Sequence, residues 1–281
     1  MDMEEYEKVK GLDYLQYCDY LQKKYGIGLC DYMTENWNPK PKCKRTKEGL
    51  VAHHKYEDHA IMLSTKEFAM KNPFEWQKAE NIVYCDYLEH LYLHILICEN
   101  PSKDKNKNEA VGIGGVTNFI VPELNDVYSG WETKQEWRKI LHAKVKNDKN
   151  VYLSLVKRFK DYEFKIISAA VDIKYVNLMQ DIVTKKYEQT IAGYDDKRIK
   201  KEDLEYTMKK LDSLQKKIYE SSTESLDYFS RNGISLKKVK KEELEKTQAI
   251  LIKRLTRSYN SPFGLWTDEK NKAIYDEIKK L

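Results

Sequence analysis

Long apolar runs are missing from this 281-residue chain, and with them any expectation of a membrane helix, which needs roughly 18 or more consecutive apolar residues. The opening Met1-Asp2-Met3-Glu4-Glu5 is acidic, whereas a secretory signal is basic and then apolar. The expected location is therefore the cytoplasm. Cysteine is sparse: Cys18, Cys30, Cys43, Cys85 and Cys98 form no Cys-x-x-Cys pair. That pattern predicts neither a zinc ribbon nor a disulfide framework. Proline is confined to positions 39, 41, 73, 101, 122 and 262, and the proline-free stretch 123–261 holds only Gly130, Gly193 and Gly233. A stretch so poor in helix breakers predicts a mainly helical second half.

What the chain does contain is enough apolar residue for a packed core, 41%, beside 34% charged residues. The net charge of +5 conceals a division. Residues 1–133 carry 16 Lys and Arg against 22 Asp and Glu, a balance of −6, and residues 134–281 carry 34 against 23, a balance of +11. Clustered basic residues suit a polyanion, although solvated helix faces have the same composition.

The second half contains two amphipathic segments. Leu204, Met208, Leu211, Leu214 and Ile218 recur at helical spacing, as do Leu244, Leu251 and Leu255, with Asn232-Gly233 as a stop between them. Residues 151–191 are expected to be helical as well. In the first half, Gly49-Leu50-Val51-Ala52 and Ile82-Val83-Tyr84-Cys85 predict short strands. Ser64 with Glu67 has capping-box spacing for a short helix ending near Asn72-Pro73, and Asp86 with Glu89 does the same for a helix through about Cys98. Gly112-Ile113-Gly114-Gly115 lacks the Lys-Ser/Thr of a phosphate loop and is expected to be a turn.

Of six histidines, five (His53, His54, His59, His90, His94) fall within 42 residues. On a helix, His90 and His94 share one face, where two imidazoles can converge on a metal. His53 and His54 follow a strand, so that one side chain can face the metal while the other faces elsewhere. Three imidazoles with open positions describe a catalytic centre more than a closed structural one. His59 is expected to be a spectator, and Glu57 and Asp58 solvated turn residues.

The order His53-His54, Asn81, His90, His94 resembles the HNH, or ββα-metal, nucleases, in the His-His, Asn, His, His form of the nuclease colicins. Asn81-Ile82-Val83-Tyr84-Cys85 followed by Leu88-Glu89-His90 is similar to that family's second strand and helix. The likeness spans about residues 45–98 and departs from the compact motif in the 27-residue interval from His54 to Asn81. It also lacks the cysteine pairs that brace many members, so packing would fall to Leu50, Val51, Ile61, Leu63, Phe68, Phe74, Trp76, Val83, Leu88, Leu91 and Ile95.

The resemblance implies an α+β, predominantly helical protein. Its ββα-metal core would lie in region 1–133; region 134–281, which the resemblance does not cover, is expected from its charge and composition to be a basic, mainly helical domain that grips substrate or forms a homodimer. It implies His53, His90 and His94 as ligands of one divalent ion, His54 as general base and Asn81 as the residue orienting His54. Imidazoles favour zinc, nickel, cobalt or manganese, although members of the family also use magnesium. The activity implied is hydrolysis of DNA to 5′-phosphate and 3′-hydroxyl ends; a part in a restriction, phage-defence or mobile-element system is a separate reading, and the composition does not choose among these. Lys44, Arg45, Lys47 and Lys55 are candidate phosphate contacts. The alternatives are an RNA endonuclease and a non-catalytic nucleic-acid-binding protein with a structural His-zinc site.

Overall fold

Two short strands, β1 (Val51–His54) and β2 (Ile82–Cys85), pair antiparallel in the register Val51 to Cys85, Ala52 to Tyr84, His53 to Val83 and His54 to Ile82. β2 lies where the sequence predicts it. β1 begins two residues later than expected, so the histidine pair is part of the strand instead of following it. Helices α2 (Tyr14–Tyr25) and α4 (Tyr87–Glu99) both pack against the pair. All four β2 residues are consequently buried, and the strand is an unbroken apolar run without polar alternation.

The computed structural model describes residues 1–106, 109–195, 200–213, 241–259 and 269–281. The chain divides into two compact units, Met1–Lys160 with Leu251–Leu281, and Asp161–Ile250. Residues 134–160 and 251–281 group with the histidines. Among the described residues no helix is long and apolar enough to cross a membrane.

α4 is the central element of the first unit. Its start follows the sequence: Asp86 accepts from the Leu88 and Glu89 amides at 2.8 and 2.9 Å, and Glu89 accepts from the Asp86 amide at 2.7 Å. Apolar side chains occur all round this helix, and such a helix must be enclosed. Tyr92 packs on Tyr6 of α1 (Met3–Val9) and on Tyr17 of α2, and its hydroxyl donates to the Val9 carbonyl. At the other end Arg158 grips Glu99 through two bonds of 2.7 and 2.6 Å. A helix held at both ends and buried between is a rigid carrier for His90 and His94.

The segment between the strands departs from expectation. The short helix α3 spans Lys66–Ala69 with Thr65 at its start, and Ser64 does not cap it. Leu50, Leu63, Val83, Leu88, Leu91 and Ile95 are buried as expected, but Val51, Ile61, Phe68, Phe74 and Trp76 are only partly covered. Gly112-Ile113-Gly114-Gly115 is more than a turn: Gly112, at φ +82°, leads into a wide helical turn, Gly115–Ile120, continued by α5 (Val121–Tyr128). Cys30 and Cys43 form a disulfide, which the absence of any cysteine pattern did not predict.

α6 (Glu136–Val145) and the start of α7 (Lys149–Asp195) complete the first unit with α10 (Glu269–Lys280). Asn125 of α5 donates to the carbonyls of Leu255 and Arg257 at 2.9 and 2.7 Å, and Lys149 pairs with Glu277 at 2.7 Å. These bonds attach the C-terminal segment to α5 and α7. In the second unit α7 continues, residues 201–213 form α8, and the Tyr187 hydroxyl donates to Asp212. α9 (Lys241–Leu255) matches the second amphipathic segment. Leu214, Ile218 and Asn232-Gly233 lie outside the described residues.

Candidate metal centre

His53, Glu57, His90 and His94 converge, one donor atom from each lying within 4.8 Å of all the others. β1 supplies His53, the tight turn after it supplies Glu57, and successive turns of α4 supply the other two. His90 Nε2 and His94 Nε2 face each other at 3.2 Å, Glu57 Oε2 lies 3.3 Å from His94 Nε2, and the same oxygen lies 3.5 Å from His53 Nδ1. An ion with bonds of about 2.0–2.1 Å in tetrahedral geometry sets its donors about 3.3–3.4 Å apart. The spacing of these atoms suits such an ion.

The protonation states suit it too. Burial pushes the His53 imidazole down to about 3, with Glu57 opposing the shift. Burial likewise lowers His90 and His94, so all three rings are neutral at physiological pH. Burial acts to raise the Glu57 carboxyl, while protonation of the imidazoles facing it, His53 first, acts to lower it, and the balance holds the group below the usual carboxylate range. Among the described residues the ion-pair partners of Glu57 are histidines alone. Three neutral imidazoles around an ionised, largely buried carboxylate form a site with lone pairs to give and negative charge to offset, the donor set a divalent cation takes.

Surrounding groups fix these ligands. The Tyr14 hydroxyl donates to the Lys55 carbonyl at 3.0 Å and approaches the His54 carbonyl at 3.3 Å. Its single proton is thereby engaged, so its oxygen accepts from His53 Nε2 at 2.8 Å, which leaves His53 Nδ1 bare and aimed at the cluster. Gly115 lies against the His94 ring, closer than any Cβ would allow.

His54 stays outside the cluster but beside it. Its Nδ1 is buried without a hydrogen-bond partner, 3.6 Å from Glu57 Oε1. Its Nε2 meets Gln77 Oε1 at 3.1 Å, and the Tyr32 ring stands edge-on to it with centroids 4.6 Å apart. Asn81, expected to orient His54, does not reach it. The Asn81 side-chain amide donates to the Glu75 carbonyl at 2.8 Å, and the Asn81 backbone carbonyl accepts from the Lys55 amide at 2.8 Å. Asn81 therefore braces the loop before β2 while Gln77 contacts the histidine, because the long interval after His54 places a buried glutamine nearer the ring.

The remaining candidates separate. His59 is held by Asp58 at 2.6 Å and Ser102 at 3.0 Å and takes no part in the cluster. Lys55 is paired with Asp19 at 2.7 Å, and Arg45 is bound to Glu48 and the Tyr25 carbonyl with its guanidinium over the Tyr84 ring. Lys44 and Lys47 are exposed. Glu57, assigned above to a solvated turn, is instead one of the four converging residues. Its offset of four from His53 was the available signal, since a tight turn at the end of β1 returns that position to the strand end. Tyr14, Gln77 and Gly115 gave no such signal. The chain matches no family model, no curated protein and no solved structure to a significant degree.

Proposed function

We propose that this chain is a metal-dependent endonuclease of HNH type that hydrolyses phosphodiester bonds in DNA. The observation that supports this most is the convergence of His53 from the first strand of an antiparallel pair with His90 and His94 from the helix after the second strand, beside a neighbouring histidine that is not part of the cluster. The order of elements and candidate ligands supports the resemblance, and on that reading His54 is assigned the role of base.

In this reading His53, His90 and His94 hold the ion. A divalent ion held by them would contact a phosphate oxygen and offset the charge that develops on the departing 3′ oxygen. His54 takes a proton from the attacking water through a buried imidazole nitrogen, and Tyr14 keeps the His53 ring turned toward the cluster. Water attack at phosphorus leaves 5′-phosphate and 3′-hydroxyl ends. The preference for DNA over RNA, the substrate-gripping role of the basic helical region and a setting in restriction, phage defence or mobile elements rest on the resemblance and the charge balance.

Glu57 favours a second reading. With it the cluster has four ligands, the number of a closed structural zinc site, and a nucleic-acid-binding protein stabilised by zinc would need no more.

Supercoiled plasmid incubated with wild type and His54→Ala, with magnesium, manganese, nickel or zinc in turn and EDTA as control, separates the readings. Cleavage by wild type alone, stopped by EDTA, supports the nuclease. Equal cleavage by His54→Ala removes the role given to His54. No cleavage of plasmid or structured RNA with any metal, together with a zinc that the folded protein does not release, favours the structural site.

A further inference from the structure

We infer that Gln77 is the positioning residue for His54, fixing its imidazole, when neutral, as the Nε2–H tautomer so that Nδ1, on the side of the metal cluster, is the nitrogen left to take a proton. The role of that proton transfer rests on the nuclease reading. The tautomer assignment rests on hydrogen bonds alone.

Gln77 is 1% exposed, and both ends of its side-chain amide are engaged. Its Nε2 donates to the Leu63 carbonyl at 3.1 Å, and its backbone carbonyl accepts from the Tyr32 amide at 2.7 Å. A carbonyl cannot donate, so the amide can face Leu63 only through its NH₂ group. The opposite orientation would set two oxygens against each other in a buried space. Gln77 Oε1 is thereby turned to His54 Nε2, 3.1 Å away. An amide oxygen only accepts, and a neutral imidazole carries one N–H. The proton therefore sits on Nε2, and Nδ1 holds a lone pair. That nitrogen is the one buried without a hydrogen-bond partner and lying 3.6 Å from Glu57 Oε1.

The ring cannot easily turn over to exchange its nitrogens. Tyr32 packs edge-on against it, and the Tyr32 backbone is bonded to Gln77 itself. One glutamine thus sets both the orientation and the tautomer of the histidine, the task that the resemblance gives to Asn81. A partner on the far nitrogen of a reacting imidazole governs which nitrogen is available for chemistry.

The test uses the full chain labelled with nitrogen-15 at histidine, in EDTA at mildly alkaline pH, with the His54 tautomer read from long-range proton–nitrogen correlations. Wild type is expected to carry its proton on Nε2 alone, and Gln77→Leu, which keeps the bulk but not the acceptor, to show both tautomers. Gln77→Met, which also removes the acceptor, serves where the leucine variant does not fold and is expected likewise to show both tautomers. A wild-type proton on Nδ1, or an unchanged tautomer in Gln77→Leu, overturns the inference whether or not the protein cuts DNA.

If the protein cuts DNA, Gln77→Leu lowers kcat roughly 10–100-fold, the size of effect typical of residues that orient a site from behind, while KM and metal affinity hold. Asn81→Ala is expected to change kcat much less. A loss confined to KM or to metal affinity also overturns the assignment. Absence of cleavage by wild type removes the nuclease reading and leaves the tautomer result to decide the inference.

Discussion

Gly115 and the His94 ring are in direct contact: a Cβ at position 115 would fall 2.4 Å from both Nδ1 and Cε1 of that imidazole. The glycine begins the wide helical turn Gly115–Ile120 that packs along α4, so the backbone of one element lies directly against a side chain of the other. Gly115→Ala must displace the ring, since α4 is enclosed and cannot retreat. The expected result is about 1–3 kcal/mol of lost stability in EDTA, the usual cost of an extra methyl group in a packed interior. Affinity for zinc or nickel is also expected to fall, measured by calorimetric titration. Unchanged metal affinity would show that His94 is not a ligand in the orientation described.

Glu57 decides whether the centre is closed or open. Removing a ligand from a closed four-donor site weakens binding by roughly 1.4 kcal/mol or more, at least about tenfold. Glu57→Ala is therefore expected to bind zinc less tightly and to unfold at lower temperature with zinc present. If the fourth position belongs to substrate, the same variant keeps the affinity conferred by three imidazoles and cuts plasmid at least as fast as wild type. Zinc titration and plasmid cleavage on one preparation distinguish these outcomes.

How much of this centre was legible in sequence depends on which contacts are local. His90 and His94 lie one helical turn apart, Asp86 and Glu89 form a capping box across three residues, and Ile82–Cys85 is an unbroken apolar run. All three are short-range patterns, and the structure contains each of them. Glu57 was half visible, because its offset from His53 becomes meaningful only once the turn after β1 is known to be tight. Gln77, Tyr14 and Gly115 reach the site from 23 residues beyond His54, 39 residues before His53 and 21 residues after His94. Contacts so distant in sequence depend on packing, and no local period encodes them. Asn81 failed as the partner of His54 for the same reason: the long insertion brought another amide closer.

Acid is expected to destabilise the metal-free protein through its buried imidazoles. His53 has a folded-state value of about 3, against about 6.5 when unfolded, so only the unfolded chain takes up its proton over that interval. Its contribution to stability is complete above about pH 6.5 and is lost as pH falls from there toward 3. Glu89 opposes this trend: burial and the neighbouring Asp86 raise it to about 7, and its cost to the fold is relieved as pH falls. The comparison is therefore best made in Glu89→Gln, whose urea midpoint in EDTA should decrease from mildly alkaline pH to about pH 5. A flat profile in that background would mean that the imidazoles are not held neutral by the fold.

The Cys30–Cys43 disulfide spans 13 residues and staples the segment that supports Gln77. On either side of Cys30, Gly28 donates to the Ala79 carbonyl at 2.8 Å and Tyr32 to the Gln77 carbonyl at 2.7 Å, while the Ala79 amide donates to Asp31 at 3.0 Å. Cys43 is anchored separately, its carbonyl accepting from the Tyr84 hydroxyl at 2.6 Å. A cross-link over a loop of this length contributes typically 2–4 kcal/mol by restricting the unfolded chain. A dithiol reductant, giving two electrons and two protons to the pair, is expected to lower the urea midpoint by the corresponding amount. The Cys30→Ser, Cys43→Ser double variant should behave as reduced wild type and be insensitive to reductant. Because the staple supports the backbone bonded to Gln77, the same treatment should increase hydrogen exchange at the Tyr32 amide more than in α4. Equal midpoints with and without reductant would show that the two sulfurs are not cross-linked in solution, and Gln77 would then be held by the Tyr32 and Leu63 bonds alone.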